Sequence, residues 1–190
     1  MGQYYMPVIK RGNKLRRVYG HDFGNGLKLT EHSYISNHFV NVVANEIVDN
    51  PAQLYWVGDY AEMKDFKSES MFNRIYNYAW ISKRRKETTV ENPNEKFDWN
   101  RDWYFINHTK KQFMLMPRAN IDLWIFSPIS LLTAIGNGRG GGDYCGRYNE
   151  EMVGYWAGDQ VSLSIEKPND KYVDVTEDTI FGSDGDMMTW

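Results

Sequence analysis

Two apolar, β-favouring runs open the chain, Tyr4 to Lys10 and Leu15 to Tyr19, with R-G-N-K between them. Gly12-Asn13 is a turn dipeptide, so this pattern predicts a β-hairpin. H-D-F-G-N-G, His21 to Gly26, then makes a glycine-rich loop before Leu27-Lys28-Leu29, read as a short strand. From Tyr34 to Val48 the apolar residues Ile35, Phe39, Val42, Val43 and Ile47 recur at helical spacing, and Asn50-Pro51 ends that helix. Gln53 to Trp56 reads as a strand entering Y-W-V-G-D, Tyr55 to Asp59.

The second half of the chain shows a similar order. Trp103 to Asn107 and Gln112 to Met116 flank H-T-K-K as a second hairpin, and Leu123 to Phe126 has the pattern of a buried strand. Ser127 suits an N-cap and Pro128 a first helical position, followed by I-S-L-L-T-A-I and a stopping Gly136. Met152 to Trp156 then reads as a strand entering Y-W-A-G-D, Tyr155 to Asp159, and Val161 to Ile165 alternates like a strand. Trp56 and Trp156 stand 100 positions apart, and Tyr5 and Tyr104 nearly so. The expected fold is therefore α+β: two pseudo-repeated β-hairpin–strand–helix–strand halves, 3–61 and 102–166, packed as one compact domain spanning 1–190. Between them, 62–101 reads as a partly helical connector, with Phe72, Ile75, Tyr76, Ala79 and Trp80 at helical spacing. K-R-R-K and the polar stretch T-T-V-E-N-P-N-E-K follow.

Composition narrows the class. The 42% hydrophobic content and mixed charge are those of a globular chain, and the 15% aromatic content supplies both core and stacking surface. A net charge of −3 argues against general nucleic-acid binding, although a local positive pocket is compatible with it. The lone Cys145 forms no internal disulfide, and M-G-Q-Y-Y-M-P-V-I-K-R lacks an apolar signal core. No run reaches transmembrane length, so the expected setting is cytoplasmic, without a membrane partner. Gly2 raises myristoylation, but Met6 stands where that motif takes Ser or Thr.

The richest chemistry lies in G-N-G-R-G-G-G-D-Y-C-G, Gly136 to Gly146. Clustered glycines let backbone N–H groups close on an anion, and Arg139 adds a guanidinium able to grip phosphate or carboxylate. Gly136, Gly138 and Gly141 satisfy G-x-G-x-x-G, but after a helix rather than a strand, which is the wrong context for a dinucleotide fold. The candidate ligand-binding set is Gly138, Arg139, Gly140, Gly141, Asp143 and Tyr144, with Trp156 and Asp159 from the second W-x-G-D and His21 from the earlier loop. In each W-x-G-D, one reading is a turn with a core tryptophan, its glycine at an angle other residues avoid. The other is a stacking face with a carboxylate for a ribose or base. No metal is expected: His32 and His38 are six apart, there is one Cys, and D-G-D at Asp184 to Asp186 is too short for a calcium loop. No cofactor is expected either.

Several strings together resemble a family of short, functionally uncharacterised proteins of phages, prophages and Gram-positive bacteria. They are M-G-Q-Y-Y, H-D-F-G-N-G-L-K-L, L-L-T-A-I-G-N-G-R-G-G-G-D-Y, V-G-Y-W-A-G-D and Y-F-I-N-H-T-K-K-Q-F-M. This chain departs from that pattern by spreading the motifs apart and by carrying two W-x-G-D copies. The resemblance implies a mobile-element origin and a host bacterial cytosol.

Three functions fit these features. The first is non-enzymatic binding of a small anionic ligand, nucleotide-like, as in sequestration of a nucleotide signal of bacterial defence. The second is a small nucleotide-directed hydrolase using Asp143 or Asp159 as base with Arg139 against developing charge. The third is a protein-interaction module that inhibits a host factor. A homo-oligomer is compatible with each.

Overall fold

The hairpin prediction is met at the first turn of the chain. β1 (Tyr5–Arg11) and β2 (Lys14–Arg17) pair antiparallel around Gly12, which takes φ +55. A computed structural model describes residues 1–81, 96–120, 123–146 and 149–182. K-R-R-K, most of T-T-V-E-N-P-N-E-K, the D-G-D stretch and Trp190 lie outside the described residues.

The fold is α+β, with a mixed eight-stranded sheet and four α-helices among the described residues. Beyond the hairpin the strands are β3 (Ala52–Gly58), β4 (Tyr104–Asn107), β5 (Gln112–Leu115), β6 (Ala134–Ile135), β7 (Gln160–Ser164) and β8 (Val173–Asp174). The helices are α1 (Leu29–His32), α2 (His38–Ile47), α3 (Glu69–Tyr76) and α4 (Pro128–Leu131). The order across the sheet is β2-β1-β3-β7-β4-β5-β8, with β6 parallel to the end of β3. From β2 to β5 this order is a palindrome of hairpin, strand, strand, hairpin, and its centre is the antiparallel pair Ala52–Val161 and Gln53–Gln160.

Side-chain alternation divides the strands between two cores. Tyr5 and Ile9 of β1 and Leu54 and Trp56 of β3 enter the larger one, with Phe39, Val43 and Ile47 of α2 and Ile129 and Leu131 of α4. Met6, Val8, Tyr55 and Val57 face the other way and are covered by Ile75 of α3 and Ala79 of the π-helical turn Asn77–Ile81. Arg17 of β2 ties that turn down by donating to the carbonyls of Tyr78 and Ala79 at 2.8 and 2.9 Å.

Three local expectations are corrected. Leu27 to Leu29 is not a strand, because the chain turns into α1, where Thr30 N–H bonds Gly142 O. The helix expected from Tyr34 begins only at His38: Ser36 takes φ +71, and Asn37 caps the first turn by accepting from Phe39 N–H at 2.8 Å. The helix expected through Ile135 stops at Leu131, since Ala134 and Ile135 pair with Trp56 and Val57 instead. Of Leu123 to Phe126, Ile125 and Phe126 sit in isolated β-bridges, Phe126 opposite Tyr34, and no strand of greater length forms there.

Three fully buried indoles find acceptors: Trp99 bonds Asn41 at 2.7 Å, Trp156 bonds Gln112 at 3.2 Å, and Trp56 bonds Nε2 of His32 at 2.9 Å. The last pairing requires a neutral imidazole carrying its proton on Nδ1, which lies 3.1 Å from Gly26 O. Burial lowers the His32 pKa to about 4 from an ordinary 6.5. The folded-state value is depressed, so the associated stability is complete above pH 6.5 and is lost as pH falls towards 4. Urea titrations at stepped pH should show a decline of about 3 kcal/mol over that window, at about 1.4 kcal/mol per pKa unit. His32→Gln should flatten it; an unchanged slope would locate the effect elsewhere.

Candidate functional site

The glycine loop does enclose an anion, and that anion is Asp143. Its Oδ2 accepts the N–H groups of Arg139 at 2.7 Å and Gly140 at 2.9 Å, and its Oδ1 accepts the Tyr5 hydroxyl at 2.8 Å. Burial first, then the adjacent Asp143 carboxylate, push the Tyr5 phenol far above its usual range, so it remains a donor. The N-terminal segment lies against the same loop: Gly141 N–H bonds Met1 O and Gln3 N–H bonds Gly141 O. Gly140 has no room for a side chain there, since a Cβ would meet Gln3 Cβ at 2.6 Å.

Arg139 is also engaged internally. Its guanidinium makes a two-pronged pair with Asp65 and donates to Tyr60 O at 2.9 Å. The pairing raises the Arg139 pKa. Burial, the largest single influence on Asp65, acts to raise its pKa, but the hydrogen bonds from Arg139 and Glu62 N–H together with the Arg139 and Lys64 charges outweigh it and hold Asp65 low. Tyr144 is buried and donates to Phe181 O at 2.7 Å. His21 stands apart on an exposed turn against Tyr19.

The two W-x-G-D stretches meet at the centre of the sheet but differ locally. Trp56 lies within β3, whereas Trp156 lies in a turn rather than the expected strand. The N–H groups of Gly154 and Trp156 bond the carbonyls of Leu131 and Leu132 at 2.8 and 2.7 Å, satisfying the end of α4. Gly158 N–H then bonds Leu54 O at 2.8 Å, which docks the second copy beside the first. Gly158 takes φ +72, the angle expected of it, but Gly58 has no positive φ; it is glycine because Gln3 Nε2 and Ile135 O crowd its Cβ position.

Both tryptophans are fully buried, and neither offers a stacking face. Asp159 is 1% exposed and ion-paired to Lys67 at 2.6 Å and Lys110 at 3.0 Å, and it accepts from Asn107 Nδ2 at 2.9 Å. Burial acts to raise its pKa, but these hydrogen bonds prevail and keep the carboxylate below its ordinary value. Asp59 instead accepts Tyr4 N–H at 3.0 Å. Near Asp159, His108 Nε2 lies 2.8 Å from Ser162 Oγ, a pairing that resembles nucleophile and base, but Ser162 is buried. Among the described residues, no group of three or more His, Cys, Asp or Glu could hold a metal ion. No helix among them is long and apolar enough to cross a membrane.

Two clefts open nearby. One, of about 380 Å³, brings Gly136, Gly138 and Arg139 of the loop against Gly154 and Ala157 of the second W-x-G-D turn, with Asp65 and Glu150 also on its walls. The N–H groups of Asn137 and Gly138 find no acceptor among the described residues. The other, of about 610 Å³, lies beside the edge strand β2 and is lined by Ile9, Arg11, Lys14, Leu15, Arg16, Arg74 and Tyr78, with Asn13. Glu46 of α2 pairs with both Arg11 and Arg16, and Arg74 donates to Asn13 O at 2.8 Å. The Nε of Arg11 is buried with no partner among the described residues. Sequence reasoning passed over this cationic groove, although K-R-G-N-K-L-R-R, Lys10 to Arg17, holds five cations in eight residues.

Asp143→Ala would leave the Tyr5 hydroxyl and two loop N–H groups without their acceptor. Denaturant unfolding should show a loss of about 3–5 kcal/mol, with a smaller loss for Asp143→Asn, which keeps one acceptor oxygen. A loss within about 0.5 kcal/mol, the range of ordinary surface changes, would show that the carboxylate does not hold the loop. The chain matches no protein-family model, no curated protein and no solved structure.

Proposed function

We propose that the protein is a non-enzymatic binder of a small anionic, nucleotide-like ligand, and that the groove beside β2 is where the ligand sits. One observation carries this reading: four cations, Arg11, Lys14, Arg16 and Arg74, line a single groove, and among the described residues the carboxylate that pairs with any of them is Glu46. Coulomb attraction favours an anion there despite the chain's net charge of −3, because field strength is local on the scale of a Debye length. Ile9, Leu15 and Tyr78 give the ligand an apolar and aromatic wall. Binding without turnover is supported by the state of Asp143 and Asp159, whose oxygens already accept hydrogen bonds and so are poor candidates for a base.

The resemblance to phage and prophage proteins extends the proposal to sequestration of a nucleotide signal in the cytosol of a bacterial host. The palindromic strand order, with each hairpin's first strand against the central strand of its own half, supports an internal duplication. A second reading is favoured by the convergence of the glycine loop and the second W-x-G-D turn on one cleft, where two N–H groups have no acceptor among the described residues. There an anionic group would displace Asp65 from Arg139.

Incubation with a nucleotide panel, followed by gel filtration, denaturation and analysis of the released material, tests both readings. Intact ligand should be recovered, and Lys14→Glu with Arg74→Glu should lower retention at least about tenfold with no change in circular dichroism. Arg139→Ala should leave retention unchanged; loss of retention in that variant alone would move the site to the cleft. Recovery of altered nucleotide would replace binding with catalysis.

A further inference from the structure

Building on the anion-binding reading of the groove, we infer that it selects ligands with several adjacent phosphates over a single phosphate. The cations fall into two sets by their anchors. Arg11 and Arg16 are held from α2 by Glu46, and Arg11 also donates to Glu46 O and to Asn50 O at 3.2 Å. Arg74, from α3, is held at the hairpin turn through Asn13 O, one residue from Lys14. The groove touches both sets. Among the described residues, Glu46 is the carboxylate that pairs with these cations.

A single phosphate gains little from either set. At the first it meets guanidiniums already bound to a carboxylate, which it must displace or accompany against like-charge repulsion. At the second it meets Lys14, exposed and without an ion pair among the described residues, whose ordering offsets much of the attraction. A short chain of linked phosphates carries several negative charges, and it reaches both sets without removing Glu46. Tyr78 contributes less to selection, because its hydroxyl bonds Leu15 O at 2.9 Å and Arg17 lies over its ring at 5.6 Å. The phosphates are therefore the recognised element, and the base is secondary.

Calorimetric titration of the full chain with orthophosphate, pyrophosphate, inorganic triphosphate, a nucleoside triphosphate and a short single-stranded oligonucleotide distinguishes the possibilities. Affinity should rise at least about tenfold with each added phosphate in the inorganic series, a step of one well-placed charge pair. The nucleoside triphosphate should bind within about threefold of inorganic triphosphate, and the oligonucleotide, whose phosphates are a nucleotide apart, at least about tenfold more weakly. Lys14→Ala with Arg74→Ala should bring triphosphate down to the pyrophosphate level. Glu46→Gln should strengthen orthophosphate binding and narrow the series, with thermal melting used to confirm that this variant is folded. Equal affinity for orthophosphate and triphosphate, or an oligonucleotide bound as tightly as triphosphate, would overturn the selectivity and leave anion binding standing. No binding in any arm would remove both.

Discussion

A buried carboxylate must be answered by donors, and the placement of Asp143 meets that requirement with groups far apart in the chain. The Tyr5 hydroxyl comes from the first strand, 138 positions away, and the two N–H groups come from the glycine loop. One side chain thus fixes the loop that follows β6 to the strand that begins the sheet. Because Gly140 and Gly141 lie directly on Met1 to Gln3, the loop's glycines serve close backbone approach as much as turning. Arg139 then carries the connection outward to Asp65, on the segment leading into α3, so the loop joins the layers on both sides of β3.

The same rule orders the centre of the sheet. β3 is flanked by β7 along its first residues and by β6 along its last, which leaves a gap in the middle. The second W-x-G-D turn fills it: Gly158 N–H bonds Leu54 O, Gln53 Nε2 bonds Gly158 O at 2.9 Å, and Trp156 goes down into the larger core beside Phe105. Asp159 is left at the seam, and Lys67, Lys110 and Asn107 arrive from the connector and the second hairpin to answer it. The two W-x-G-D copies are adjacent in space for this reason. One is strand and the other the turn that completes that strand's hydrogen bonding.

The parts legible in the sequence were those set by local chemistry. Both hairpins followed from β-favouring runs around short turns, and α2 from the spacing of Phe39, Val43 and Ile47, because neither needs distant partners to be specified. The failures are non-local. Thr133 to Ile135 has no local reason to leave the helix; it does so because β3 presents free pairing positions beside it. Met152 to Trp156 has strand-like composition, but its N–H groups are drawn to the carbonyls ending α4. The glycine loop was legible as an anion cradle. Its occupant was not, since no local signal in the sequence separates a carboxylate that helps bind a ligand from one that the loop N–H groups themselves hold. The groove was half legible: five cations around one hairpin turn were in view, but Arg74 and Tyr78 arrive from a helix about sixty positions later.

Pairing also explains why an anion site would stand at the sheet's edge rather than at its most motif-like loop. A donor left unmatched on burial costs free energy, which favours its capture by an internal acceptor close at hand. The loop N–H groups and the Arg139 guanidinium are close enough to Asp143 and Asp65 to be taken in this way. Among the described residues no strand lies beyond β2 to supply acceptors, and α2 offers Glu46. Cations at an edge strand are favoured in any case, since they discourage pairing with another sheet. Charge placed there for that physical reason meets fewer carboxylates among the described residues than charge inside the fold does, and this is the physical basis of the proposed anion site.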